Sequence, residues 1–166
     1  MAASRRYRPA TQPGRRPNAF QATLSRKKKA SMNQTRVLIV DDNKMFTEMA
    51  EFILTAADFS VCTSADAKQA LLLIPVFVPD LILMDVQMPG MDGIELTRQL
   101  KADSETKHIV IVAFTAYALK GDALKLQAAG FNGYIAKPVD VMTLAAKVRF
   151  WLEGPASARG SHFVWP

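Results

Sequence analysis

Four consecutive apolar residues, Val37-Leu38-Ile39-Val40, break abruptly into Asp41-Asp42-Asn43, and the same change recurs along the chain. A short β-branched run without alternation predicts a strand buried on both faces. Asp41-Asp42-Asn43 opens a helix whose apolar face is read as Phe46, Met49 and Ile53. Ser60 to Thr63 reads as a weak second strand. Asp66 caps a second helix through Leu71 to Ile74, with Pro75 as its stop. Leu81-Ile82-Leu83-Met84 is a third strand ending at Asp85. A third helix is expected from Asp92 to Lys101, a fourth strand from Ile109 to Phe114, and a fourth helix from Leu119 to Ala129, ended by Gly130. Tyr134-Ile135-Ala136 makes a fifth strand. Asp140 caps the last helix, with Val141, Leu144, Val148 and Leu152 as its core stripe and Gly154-Pro155 as its end.

Five strands alternating with five helices predict an α/β fold of right-handed βαβ units, with helices on both faces of a parallel sheet. Sites in such sheets form at the carboxyl ends of the strands, beside the point where strand order reverses. The polar residues fall at those ends. Asp41 and Asp42 follow the first strand, Asp85 the third, Thr115 the fourth and Lys137 the fifth. In a sheet of order 2-1-3-4-5 the three carboxylates converge. Hard oxygen ligands without a neighbouring His or Cys suit Mg²⁺, and Lys137 balances charge from the other side.

Charge placement removes one class of function. The net charge is +6, yet residues 1–33 hold Arg5, Arg6, Arg8, Arg15, Arg16, Arg26 and Lys27 to Lys29 without one acid. From Gln34 to Glu153 eleven Lys and Arg face all fifteen Asp and Glu, a net of −4. The basic balance belongs to a leader of disordered composition, with Met32 as a second candidate initiator, and points away from a nucleic-acid-binding core. The expected organisation is a leader over 1–33, one domain over 34–153 and a short tail over 154–166. Cys62 is the single cysteine, so an internal disulfide or a multi-cysteine metal site is excluded. No apolar run has membrane-spanning length and none follows the basic start, which predicts a cytoplasmic protein with no membrane partner.

Five segments carry a family resemblance: Val37 to Asn43, Pro79 to Asp85, Met88-Pro89-Gly90-Met91-Asp92-Gly93, Phe114-Thr115-Ala116 and Tyr134-Ile135-Ala136-Lys137-Pro138. In order and spacing they resemble the receiver domain of bacterial response regulators, from Arg36 to Leu152. The resemblance implies a flavodoxin-like three-layer sandwich with strand order 2-1-3-4-5. It also implies that Asp85 accepts a phosphoryl group from a phosphohistidine. Asp42 and Asp85 would ligate Mg²⁺ directly, Asp41 through water, and Gln87 by its main-chain carbonyl. Lys137 would neutralise the phosphoryl oxygens and Thr115 would donate its hydroxyl to one of them. Tyr134 matches the aromatic switch, Ala116 leaves room, and the Lys137–Pro138 bond is expected cis. Gln87 and Tyr117 stand where the family tunes acyl-phosphate lifetime.

Each residue alone has an ordinary account: acids at a helix start, a threonine at a strand end, a surface lysine, a packed tyrosine. Their placement at one sheet edge argues against coincidence. His108 and His162 are read as surface residues and the methionines as core filler. A dehalogenase-like phosphohydrolase would need Asp-x-Asp after the first strand and a cap, and flavin binding a Ser/Thr-rich phosphate loop there; both are missing. The expected protein is therefore a phosphoacceptor switch and not an enzyme with turnover. Its partners would be a histidine kinase or histidine phosphotransferase, and a downstream protein on the face of the fourth helix, fifth strand and fifth helix. No output module follows Leu152, which resembles stand-alone receivers of chemotaxis or cell-cycle relays.

Overall fold

The computed structural model describes residues 34–116 and 123–153. Within them lie strands β1 (Arg36–Val40), β2 (Ser60–Ser64), β3 (Leu81–Met84), β4 (Val110–Thr115) and β5 (Gly133–Ala136). They alternate with helices α1 (Lys44–Ala56), α2 (Ala67–Phe77), α3 (Gly93–Ala102), α4 (Ala123–Ala129) and α5 (Val141–Glu153). All four strand pairings are parallel, in the order β2-β1-β3-β4-β5. The sequence places the reversal between β1 and β3, and there it is. The basic leader, the tail, Tyr117 and the expected start of the fourth helix at Leu119 lie outside the described residues.

Alternation along the central strands divides the core into two layers. Leu38, Val40, Ile82, Met84, Ile111 and Ala113 face α2, α3 and α4. Val37, Ile39, Leu81, Leu83, Val112 and Phe114 face α1 and α5. Every residue of β3 is buried, which is why its sequence shows no alternation. The helix starts are capped by short acceptors: Asn43 for α1, Asp66 for α2 and Asp92 for α3, each accepting from main-chain N–H groups of the first turn. Asp140 does the same for Met142 at the start of α5.

Three expectations need correction. The buried stripe of α1 is Thr47, Ala50, Ile53 and Leu54, whereas Phe46 and Met49 are half-buried. Both border that stripe, and Phe46 reaches the end of the sheet, as described below. Pro75 does not stop α2, which runs on to Phe77. A proline this close to the helix end forfeits one hydrogen bond, and the chain closes with Val78 N–H donating to the Ile74 carbonyl at 2.8 Å. On α5, Leu144 and Val148 are buried but Val141, the first residue of the helix, is 51% exposed.

One strand position shapes the far edge. A Cβ built on Gly133 of β5 would stand 2.0 Å from the Trp151 ring, so the indole of α5 occupies space that any other residue would fill.

Candidate functional site

The carboxyl ends of β1, β3 and β5 are each tied to a neighbouring strand by a main-chain bond that runs past the strand itself. Asp41 N–H donates to Ser64 O at 3.0 Å, Asp85 N–H to Val40 O at 2.8 Å and Lys137 N–H to Thr115 O at 2.9 Å. The first residue after each of these strands thus remains in the ladder, with its side chain presented at the sheet edge. The chain then turns away at once. Asn43 N–H donates to Asp41 Oδ1 at 2.9 Å, and Gly93 N–H to Val86 O at 3.1 Å. A Cβ on Gly93 would lie 2.0 Å from the Asp85 carbonyl oxygen, so glycine lets the start of α3 close onto the loop that holds Asp85.

Oxygen atoms of Asp41, Asp42 and Asp85 lie within 4.8 Å of one another. Asp41 and Asp85 are buried and Asp42 is exposed, so the cluster opens to solvent on the Asp42 side. The Lys137 ammonium pairs with Asp41 and stands 3.6 Å from Asp85 Oδ2. It also lies 4.9 Å from the ring centres of Phe46 and Phe114. Two aromatic faces and two carboxylates hold a side chain that is 6% exposed. Phe46, read from sequence as core, helps cage the lysine. Its spacing with Ala50 and Ile53 is that of an ordinary core position, so the sequence held no signal of this role.

Burial pushes the Asp85 carboxyl above its ordinary range, and Asp41 adds to the rise. The Lys137 ammonium and the main-chain N–H groups of Gln87 and Val86 oppose it. A buried carboxylate held this way is short of positive charge, and a cation at the cluster would supply it. The oxygen-only donor set suits a hard divalent ion such as Mg²⁺.

The remaining expected site residues lie on β4 and β5. Thr115 is buried at the last position of β4, in register with Ala136 of β5. Tyr134 is half-buried, pairs with Ala113 in register and packs against the layer that carries α2 to α4. The Lys137–Pro138 bond is cis, as expected. His108 lies at the other end of the sheet, just before β4, and is exposed. His162 lies outside the described residues.

The sequence profile of the response regulator receiver domain matches residues 37–149. The chain belongs to the response-regulator receiver family. Phosphoacceptor switching in two-component relays is what this family does, and the receiver reading of the five segments holds. Over 116 residues this receiver is 35% identical to the polar-differentiation response regulator DivK of Brucella abortus, a match covering 70% of this chain and 94% of that one. Over 114 residues it is 40% identical to the response regulator PleD of Caulobacter vibrioides, spanning 69% of this chain and only a quarter (25%) of PleD. Among solved structures, a putative response regulator from Chloroflexus aurantiacus superposes with a TM-score of 0.69 at 32% identity, covering 74% of this chain and 100% of that one. The chemotaxis response regulator CheY4 of Vibrio cholerae gives 0.68 at 28% identity, covering 72% and 99%. Among the described residues of the receiver, no helix is long and apolar enough to cross a membrane.

Proposed function

We propose that Asp85 is the phosphoacceptor, taking a phosphoryl group from the phosphohistidine of a histidine kinase or histidine phosphotransferase. One observation carries the reading: three carboxylates and one caged ammonium share the carboxyl edge of the sheet at the strand reversal. An Asp85 carboxylate oxygen attacks phosphorus, the P–N bond breaks, and its electron pair leaves with the imidazole, giving an acyl phosphate. Asp42 and Asp85, with the Gln87 carbonyl, would hold Mg²⁺ directly and Asp41 would hold it through water. When bound, the ion neutralises phosphoryl oxygens and relieves the crowding of carboxylates. Lys137 supplies a second positive charge from the side opposite Asp42, and its aromatic cage fixes where that charge sits.

The output follows from position. Thr115 ends β4, and its hydroxyl moves to a phosphoryl oxygen once Asp85 is modified. That movement draws the chain after β4 toward the site, and Tyr134 on β5 turns into the space released. A partner on the face of α4, β5 and α5 then distinguishes two states by its differential affinity, on a scale of about 1–3 kcal/mol. Leu124, 72% exposed on α4, is an apolar contact available to such a partner. The protein acts as a cytoplasmic switch without turnover of a separate substrate, and residues 1–33 are dispensable for it.

Mg²⁺-dependent labelling by a small phosphodonor tests the acceptor: wild type labels at Asp85 and Asp85→Ala does not. Tyr134→Ala keeps labelling and loses phosphorylation-dependent partner binding. Labelling that survives Asp85→Ala, or steady turnover of a phosphate ester, defeats the assignment.

A further inference from the structure

Among the described residues, helix α2 is covered on one side only, yet it is apolar on both. Ala67, Ala70 and Ile74 are buried against the sheet. From Ala70 to Pro79 the sequence is Ala-Leu-Leu-Leu-Ile-Pro-Val-Phe-Val-Pro, ten residues without a polar side chain. Leu72 is 75% exposed and Val76 83%. A surface helix usually carries polar residues opposite its core stripe, and one that is apolar all round is normally covered on all sides.

Beside this ridge lies a groove. Leu71, Pro75 and Val78 form one wall of a cavity of about 360 Å³ between the carboxyl-terminal ends of α2 and α3, with Leu100 on the other. Val78 caps α2 in the left-handed conformation, φ 50° and ψ 66°, where a β-branched residue is strained and glycine would not be. The strained residue is 45% exposed and lines the groove.

We propose that the outer face of α2 is the contact surface of a symmetric homodimer, with two α2 helices packed antiparallel. A two-fold interface uses one patch twice, so that patch must contain both a knob and a hole. The Leu72–Val76 ridge and the adjoining groove provide both. Charge placement selects the same arrangement. Lys68, exposed at the start of α2, lies in one helical row with Leu72 and Val76. Asp103 and Glu105 line the groove at the opposite end of the helix. In an antiparallel pair Lys68 of each copy meets the acidic groove rim of the other, whereas a parallel pair brings like charges together. The exposed apolar surface comes to roughly 400–500 Å² per copy, so a pair buries about 800–1,000 Å², the size of a weak, reversible interface.

Sedimentation of the full chain from about 10 µM to about 1 mM tests this, the range in which an interface of that size associates. Wild type shows a reversible monomer–dimer equilibrium. Leu72→Glu with Val76→Glu, both at well-exposed positions, leaves the urea midpoint unchanged and weakens association about tenfold or more, as charge facing charge should. Val78→Asn removes the backbone strain, so it weakens association without lowering the midpoint. Lys68→Glu weakens association several-fold, as does Asp103→Lys with Glu105→Lys, and combining all three changes restores it. A chain that stays monomeric to the highest concentration overturns the proposal and leaves the face to a different protein. A dimer indifferent to these changes overturns it too, and so does a triple variant no tighter than its parents.

Discussion

Two lysines are drawn into this protein at opposite ends of the sheet, and their ammonium groups are met by different chemistry. Lys137, at the carboxyl end of β5, is bracketed by Asp41 and Asp85 and by two aromatic faces. Lys101, in the last turn of α3, reaches the amino ends of β4 and β5. It donates to Ile109 O at 2.7 Å, Asn132 Oδ1 at 3.1 Å and Lys107 O at 3.3 Å. All three acceptors are neutral. Burial lowers the Lys101 pKa from the ordinary lysine value of 10.5. One lysine is a charge among charges; the other joins three chain segments by its hydrogen bonds and bears the cost of its own charge. The contrast separates the end of the sheet where electrostatics can change state from the end where it only fastens.

The largest effect should come from Lys137→Met. It leaves Asp41 and Asp85 facing each other without compensation, a loss of about 3–5 kcal/mol in urea unfolding at pH 7. Lys137 is the strongest influence holding the Asp85 pKa down, so the loss should shrink as pH falls and Asp85 takes up a proton. Millimolar Mg²⁺ should recover part of it. A variant as stable as wild type would mean that the lysine does not compensate these carboxylates.

Lys101→Met should cost less, about 1–3 kcal/mol, through the three acceptors it leaves. Phosphorylation should be unaffected. The deficit in stability also grows with pH, but in an alkaline window instead of an acidic one. A lysine whose folded pKa lies below its unfolded value binds fewer protons when folded, so wild type gains stability as pH rises through that value toward 10.5. The deficit of Lys101→Met should therefore widen between neutral pH and 10.5, and a constant deficit would show that the ammonium is not desolvated.

Asp85→Asn should stabilise the metal-free protein at pH 7 by about 1–2 kcal/mol, since it removes a buried charge beside Asp41. The raised pKa means that the folded state binds the extra proton, so wild-type stability falls as pH rises from 3.8 through the folded value. The advantage of Asp85→Asn should vanish near pH 3.8 and reverse when Mg²⁺ is present.

The smallest effect belongs to the helix that spans both ends. Thr97 of α3 is fully buried, and among the described residues its hydroxyl has no hydrogen-bond partner. Thr97→Val should raise stability by about 1 kcal/mol, read as a higher urea midpoint at unchanged slope.

What could be read in advance follows the same division. Asp41, Asp42, Asp85, Thr115 and Lys137 were legible because a parallel sheet aligns its strand ends, so position in sequence becomes position at one edge. The order 2-1-3-4-5 followed from the alternation and the family resemblance together. Lys101 was not legible. A lysine in the last turn of a helix reads as a solvated charge near the dipole's negative end, and only the curl of the chain before β4 and β5 brings three acceptors to it. Nor did the sequence show which way Leu72 and Val76 face, because an unbroken apolar run has no periodicity to orient it. Helical spacing put Phe46 on the face that holds Ala50 and Ile53, but it could not show that a residue in the first turn meets the Lys137 ammonium at the end of the sheet.

The notch at Gly133 has a practical consequence. It seats the Trp151 indole against the strand that carries Tyr134, one residue away. The protein therefore contains its own optical probe of that strand. Trp165 is the second tryptophan, so Trp165→Phe leaves Trp151 as the only indole emitter. Its emission maximum and quenching by acrylamide should then report on β5 when the protein is phosphorylated, without an attached dye and without a partner in the cuvette.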